Sequence, residues 1–284
     1  MKIRVFKIVS SLAIGIGIAV APASSYAATP KTMKVHYIDV GQGDSIYIKA
    51  PNGEDILIDG GNKGKGNAVV SYLKKQKVDD IEVLISTHPD ADHIGGLDEV
   101  INASKVENVY APKVGNNTQA YKDFLNAVKK KKLTIKTAQA SVKLPVKDVN
   151  AQIVGPTKTY ANSDLNDWSA VVHMIYKKNT FLFTGDAETK AEAEADMIKA
   201  KKTLRADVLK VGHHGAKTST SKNFLDAVKP KYAVISVGKN SYGHPTSQVV
   251  NLLKNSKASI LRTDQSGTIS ITGDGTSYSV EKSR

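Results

Sequence analysis

Cysteine is absent from all 284 residues. Disulfides, a thiol nucleophile, thiolate metal sites and a lipid-modified cysteine are excluded with it. Any metal must therefore be held by imidazoles and carboxylates. Arginine is nearly absent too. Arg4, Arg205, Arg262 and Arg284 are the whole complement, so the formal charge of +13 is almost entirely lysine. A basic chain favours anionic partners. Lysine, however, spreads as solvated charge and lacks the bidentate phosphate grip of arginine, so charge alone does not make a dedicated polyanion binder.

Long hydrophobic runs are also missing. The longest, residues 8–20, is about thirteen residues, short of the roughly twenty that span a bilayer. It follows Lys2, Arg4 and Lys7 and precedes a stretch of small residues containing Ser25 and Ala27. Basic start, short apolar run and small-x-small site are the parts of a secretory leader. Residues 1–27 are therefore expected to be a signal peptide, and 28–284 one domain. Removing the leader takes away three positive charges and leaves +10. The expected location is secreted, extracellular or cell-wall associated, with no membrane contact after cleavage. An apolar fraction of 40% against 24% charged residues excludes wholesale disorder.

Strand-like runs occur at 33–39, 45–50, 55–58, 81–86, 106–110, 133–137 and 151–154, and a hairpin is expected from 170–176 and 181–184. Helices are expected at 68–76, 97–103, 119–130, 187–201, 221–228 and 248–254. Strands recur at 208–211, 232–237, 260–262, 268–271 and 278–280. Hairpins first, then mixed α/β and finally βαβ order point to two mixed sheets covered by helices.

The sharpest chemistry is HPDADHIGG. His88, Asp90, Asp92 and His93 fall within six residues, directly after a buried strand. Such a turn can aim His88 and Asp90 at one point and Asp92 and His93 at a neighbouring one. A two-metal centre needs that, with its ions about 3.5–4 Å apart. Gly95 and Gly96 let the backbone pass close by.

This motif resembles the hallmark of the metallo-β-lactamase superfamily, H-x-H-x-D-H after a strand. Asp90 here replaces the second His. That variant, together with DVGQGD at 39–44, resembles the hydrolase domain of ComEC-type DNA-uptake proteins and their stand-alone relatives. The resemblance implies a four-layer αββα sandwich. It implies that Asp59 of LIDGG orients the metal loop, as carboxylates behind a metal site do, and that Asp186 of FTGD bridges two cations. His213 and His214, at the end of another strand, would supply one metal ligand and one substrate-facing group. The residue types do not order the pair; we assign His213 as ligand and His214 to substrate. His244 of YGHP would lie at the cleft mouth as general acid or phosphate binder, since an imidazole can do either. The usual third His of the first site is replaced by a segment ending in Ser169, which we group with the catalytic residues. The first site is then richer in oxygen, which suits Mn²⁺ or Mg²⁺ while leaving Zn²⁺ open. His36 and His173 lie inside strands, outside the motif pattern, and read as packed or exposed strand residues.

The expected cofactors are two divalent ions, zinc or manganese. The expected partner is an anionic phosphodiester, DNA included, with no stable protein partner. The activity expected first is a secreted phosphodiesterase or nuclease. Hydrolysis of other esters or phosphoesters, of the teichoic-acid or choline-phosphate type, is the alternative, followed by a non-catalytic binding module.

Overall fold

The computed structural model describes residues 31–284; the expected leader lies outside them. The chain begins with β1 (Met33–Tyr37), β2 (Ile46–Lys49) and β3 (Asp55–Ile58), an antiparallel meander. Then β4 (Asp80–Ile85), β5 (Lys105–Ala111) and β6 (Ile135–Thr137) add on in parallel. A second sheet starts with the antiparallel run β7 (Asn150–Gly155), β8 (Val171–Tyr176) and β9 (Asn179–Phe183). It continues in parallel through β10 (Val208–Lys210), β11 (Tyr232–Ile235) and β12 (Ser259–Arg262). Finally β13 (Ile269–Gly273) and β14 (Tyr278–Lys282) return to the free edge of β1, giving sheets of eight and six strands.

Strand alternation explains the layers. Met33, Val35 and Tyr37 of β1, with Ile46, Ile48, Ile56, Ile58, Val83 and Ile85, turn one face inward. They meet Val172, Met174, Phe181, Phe183 and Val234 of the other sheet. The opposite residues, Leu57, Leu84 and Val109, pack under α1 (Gly66–Lys75), α3 (Leu97–Ala103) and α4 (Gln119–Lys130), with the single turn α2 (Ala91–Ile94) ahead of α3. On the far side Leu182, Leu209 and Ile235 pack under α5 (Ala193–Lys199), α6 (Lys222–Val228) and α7 (Ser247–Asn255); a last turn, α8 (Thr263–Ser266), precedes β13. Two sheets buried on both faces between two helix layers form the expected αββα sandwich. No described helix is long and apolar enough to cross a membrane.

Register positions the site. Pairing of Ile58 with Ile85 sets the ends of β3 and β4 side by side, and Asp59 N donates to Ile85 O at 2.9 Å. Pairing of Phe183 with Lys210 does the same for β9 and β10. The loops leaving these four strands meet at one end of the sandwich, at the carboxyl ends of the parallel strands where α/β folds bind ligands.

One expected helix is cut short. Residues 187–201 read as helix by propensity, yet only Ala193–Lys199 is helical. Asp167 accepts the N–H groups of Glu188 and Ala191, both at 3.0 Å, and Glu188 turns towards His213. Tertiary hydrogen bonds have overridden the propensity.

His36 is a strand residue, as expected, and it is packed rather than exposed, with Nδ1 2.8 Å from both Tyr72 OH and Ser270 Oγ. Burial, reinforced by Lys34, pushes its pKa down to about 4. Between the ordinary value near 6.5 and about 4, the unfolded chain binds a proton that the folded chain refuses. Stability is therefore complete above pH 6.5 and declines on acidification, by about 2–3 kcal/mol from this group at pH 4.5. The drop in melting temperature between pH 7.5 and pH 4.5 should be smaller in His36→Gln than in the wild type; equal drops would contradict this.

Candidate metal centre

Asp59 organises the centre from below. Its Oδ1 accepts the Thr87 N–H at 2.8 Å and its Oδ2 the Thr87 hydroxyl at 2.7 Å. His93 Nδ1 lies 2.8 Å from the same Oδ2. An ionised carboxylate only accepts, so His93 carries its proton on Nδ1. Thr87 has spent its own proton on Asp59 and can accept from His88 Nδ1 at 3.1 Å. One aspartate thus sets the tautomer of two histidines. His214 is fixed independently, its Nδ1 donating to Ser236 O at 2.8 Å. In the neutral form of all three rings the lone pair falls on Nε2, and those three buried atoms have no hydrogen-bond partner among the described residues.

The three Nε2 atoms converge with carboxylates. His93 Nε2 and His214 Nε2 lie 3.2 and 3.4 Å from Asp186 Oδ2. His214 Nε2 is 3.3 Å from Asp92 Oδ2, and His88 Nε2 is 3.5 Å from Asp90 Oδ2. Two ligands about 2.1 Å from one ion in tetrahedral geometry sit about 3.4 Å apart. The donor spacing therefore fits divalent ions, as do unpartnered lone pairs whose other ring nitrogen is tied down. On the Nε2 side the donors form two overlapping triads, His88–His93–Asp186 and Asp92–His93–His214, while a third group, Asp44–Asp59–His93, lies on the Nδ1 side of His93.

The expected order of the two adjacent histidines is corrected here. His214 is buried among the donors, whereas His213 is 26% exposed with its Nε2 3.8 Å from Asp186 Oδ2. Both residues have left-handed backbones, φ 44° and 52°. Strain of that kind costs about 1–3 kcal/mol and accumulates at functional sites. The kink sends the two rings to different places. His213 Nδ1 faces Glu188 Oε1 at 2.6 Å, and Thr218 donates to the same oxygen. Ser169 is corrected as well. It is buried behind the donors, its Oγ accepting the Asp186 N–H at 3.0 Å and lying 3.4 Å from His88 Nδ1, so it does not face the cleft. Asp90 reaches only His88 and is held on its other side by Asn116 at 3.3 Å. His244 stands outside the donor cluster, its ring meeting that of His213 edge-on at 5.3 Å.

Three contributors were missed as site residues. Asp44, the last residue of DVGQGD, is buried under His93 and His214 at 3.8 and 3.6 Å. It pairs with Lys210, whose fully buried ammonium also donates to Gly185 O at 3.0 Å. Lys210 is thus an internal cation and unavailable to a phosphate. Gly43 makes the approach of this loop feasible, because a Cβ there would stand 2.3 Å from Asp92 O. Motif membership singled out Asp44; nothing in the pattern singled out Glu188.

The charges are strongly coupled. Burial opposes ionisation of Asp186, yet His93, His214 and Lys210 hold its pKa well below the usual carboxylate range. Burial alone would lower His214, but Asp186, Asp92 and Asp44 raise it to about 9. His93 is raised in the same way by Asp186 and Asp59. Protons here occupy positions a cation would take, so ion binding releases them and tightens as pH rises.

The family model of the metallo-beta-lactamase superfamily matches residues 38–239. The chain belongs to that superfamily. It is 33% identical over 254 residues to ComE operon protein 3 of Bacillus subtilis (strain 168), covering 83% of this chain and 32% of that one. Recombination protein 2 of Haemophilus influenzae is 32% identical over 246 residues, covering 84% and 29%. The chain thus spans about a third of the length of these relatives. The metallo-beta-lactamase fold protein YhfI from Bacillus subtilis superposes with a TM-score of 0.56 at 12% identity, covering 84% of this chain and 99% of its own; this likeness concerns the fold. The protein is a ComEC-like metallo-β-lactamase-fold, metal-dependent hydrolase.

Proposed function

We propose that this hydrolase is a phosphodiesterase acting outside the cell on DNA or related diesters, with two divalent ions in its donor cluster. The observation that carries the reading is the convergence of three oriented imidazoles with Asp186 and Asp92. In it, His88, His93 and His214 would offer their Nε2 atoms and Asp186, Asp92 and Asp90 their carboxylate oxygens to the ions. Two ions held there would neutralise charge on phosphoryl oxygens and lower the pKa of water. A phosphodiester gains most from this, because its transition state is already anionic.

The remaining roles belong to the chain's own side chains. Asp59 fixes the tautomers of His88 and His93, and the Ser236 carbonyl fixes that of His214. Ser169 holds the Asp186 backbone, and Asp44 with Lys210 holds the floor. His213, braced by Glu188, and His244 face the mouth, where a substrate phosphate or a leaving oxygen needs a hydrogen bond or a proton. The basic charge concentrates an anionic substrate. Export rests on the expected leader, residues 1–27.

The test is a substrate panel. Bis(p-nitrophenyl) phosphate should be turned over with Mn²⁺ or Zn²⁺ at least tenfold faster than p-nitrophenyl acetate, and a chromogenic cephalosporin should not be. Preference for the acetate would overturn the phosphodiesterase reading in favour of ester hydrolysis.

A further inference from the structure

Among the described residues only two large hydrophobic side chains are exposed, Leu125 at 36% and Tyr242 at 72%. Leu125 sits on α4. Tyr242 is beside the metal centre. One face of its ring stacks on His244, with centroids 5.6 Å apart and planes at 29°. His244 in turn meets His213 edge-on at 5.3 Å, and His213 Nε2 is 3.8 Å from Asp186 Oδ2. A ladder of rings therefore runs from solvent to the donor cluster, with the outer face of Tyr242 open. Asn240 clamps its inner rung, accepting the His244 N–H at 3.0 Å and donating to His244 O at 2.8 Å. Nothing stands within 4 Å of a Cβ placed on Gly243, so the space alongside is open.

Lysines stand on the segments around the ladder. Lys65 Nζ lies over Gly41, 3.9 Å from where a Cβ would be, and Gly238 packs directly on the Gly41 backbone, carrying Lys239 with it. Lys217 precedes Thr218, which donates to Glu188 beside His213. All three lysines are exposed and none pairs with a carboxylate among the described residues. An exposed aromatic face with unpaired lysines on neighbouring segments offers the two elements of a single-strand nucleic-acid subsite, a stacking platform and a backbone track.

Resting on the phosphodiesterase reading, we infer that Tyr242 is a base-stacking platform, which receives an unpaired nucleobase next to the phosphate held over the metal centre. Every base offers a π-face, so the subsite is tolerant of sequence and selects against diester polymers without bases.

The test is binding by the full chain of fluorescent, nuclease-resistant phosphorothioate octamers, one an oligothymidylate and one an abasic sugar-phosphate of equal charge. The wild type should bind the thymidylate on the order of tenfold more tightly. Tyr242→Ala should remove most of that preference and Tyr242→Phe should keep it. Equal binding of the two octamers by the wild type, or a preference untouched in Tyr242→Ala, overturns the inference. Tighter binding of poly(glycerol phosphate) than of thymidylate overturns it in favour of a cell-wall polymer. Failure of the phosphodiesterase reading itself would show separately, as absent turnover of bis(p-nitrophenyl) phosphate.

Discussion

Asp186→Asn is expected to weaken divalent-ion binding by at least about 10²-fold and to remove turnover with it. Loss of an outer partner that merely orients a ligand costs about 10–100-fold in metal affinity, and Asp186 stands among the donors themselves. Its Oδ2 is 3.2–3.8 Å from the Nε2 atoms of His93, His214 and His213, so one substitution touches both triads. Asparagine keeps the shape and removes the charge. The fold should survive, because Lys210 retains Asp44 and the Gly185 carbonyl as partners. Calorimetric titration with Mn²⁺ and Zn²⁺, alongside a melting curve, checks this. Unchanged affinity in a folded variant would remove Asp186 from the shell.

His244→Ala is expected to separate substrates by their leaving groups. The ring stands outside the donor cluster against His213, its Nδ1 buried without a partner among the described residues. Burial, with His213 and His214 nearby, pushes its pKa below the ordinary value, which makes its protonated form a stronger proton donor. A positioned general acid contributes about 10²–10⁴-fold. The variant should lose about that much in kcat on an alkyl diester, whose alkoxide needs a proton, and little on a p-nitrophenyl diester, whose phenolate does not. Ion content, measured in the same preparation, should be unchanged. Loss of an ion would make His244 a ligand, and rates unchanged from the wild type on both diesters would leave it an inert loop residue.

Much of the architecture is legible in the residues because the central strands, such as β3 and β10, are buried along their whole length and the turns between strands are polar. Residues 97–103 and 119–130 are helical with those limits. HPDADH announces a donor cluster because four ligand-type side chains in six residues have little other use. The order of His213 and His214 is not legible. It depends on a left-handed kink, and side-chain periodicity carries no information about φ. Glu188 is hidden for a related reason: residues 187–201 score as helix, and only the distant Asp167 unwinds their start. The Asp44–Lys210 pair joins β10 to the loop after β1, a contact between sheets that no local pattern encodes.

The central claim is that the imidazoles and carboxylates brought together by the two sheets hold two divalent ions. Elemental analysis of the purified chain, saturated with Mn²⁺ or Zn²⁺ and freed of excess, tests it most directly. Two ions per chain are expected, falling below one in Asp186→Asn. No more than one ion per wild-type chain under any loading would contradict the account.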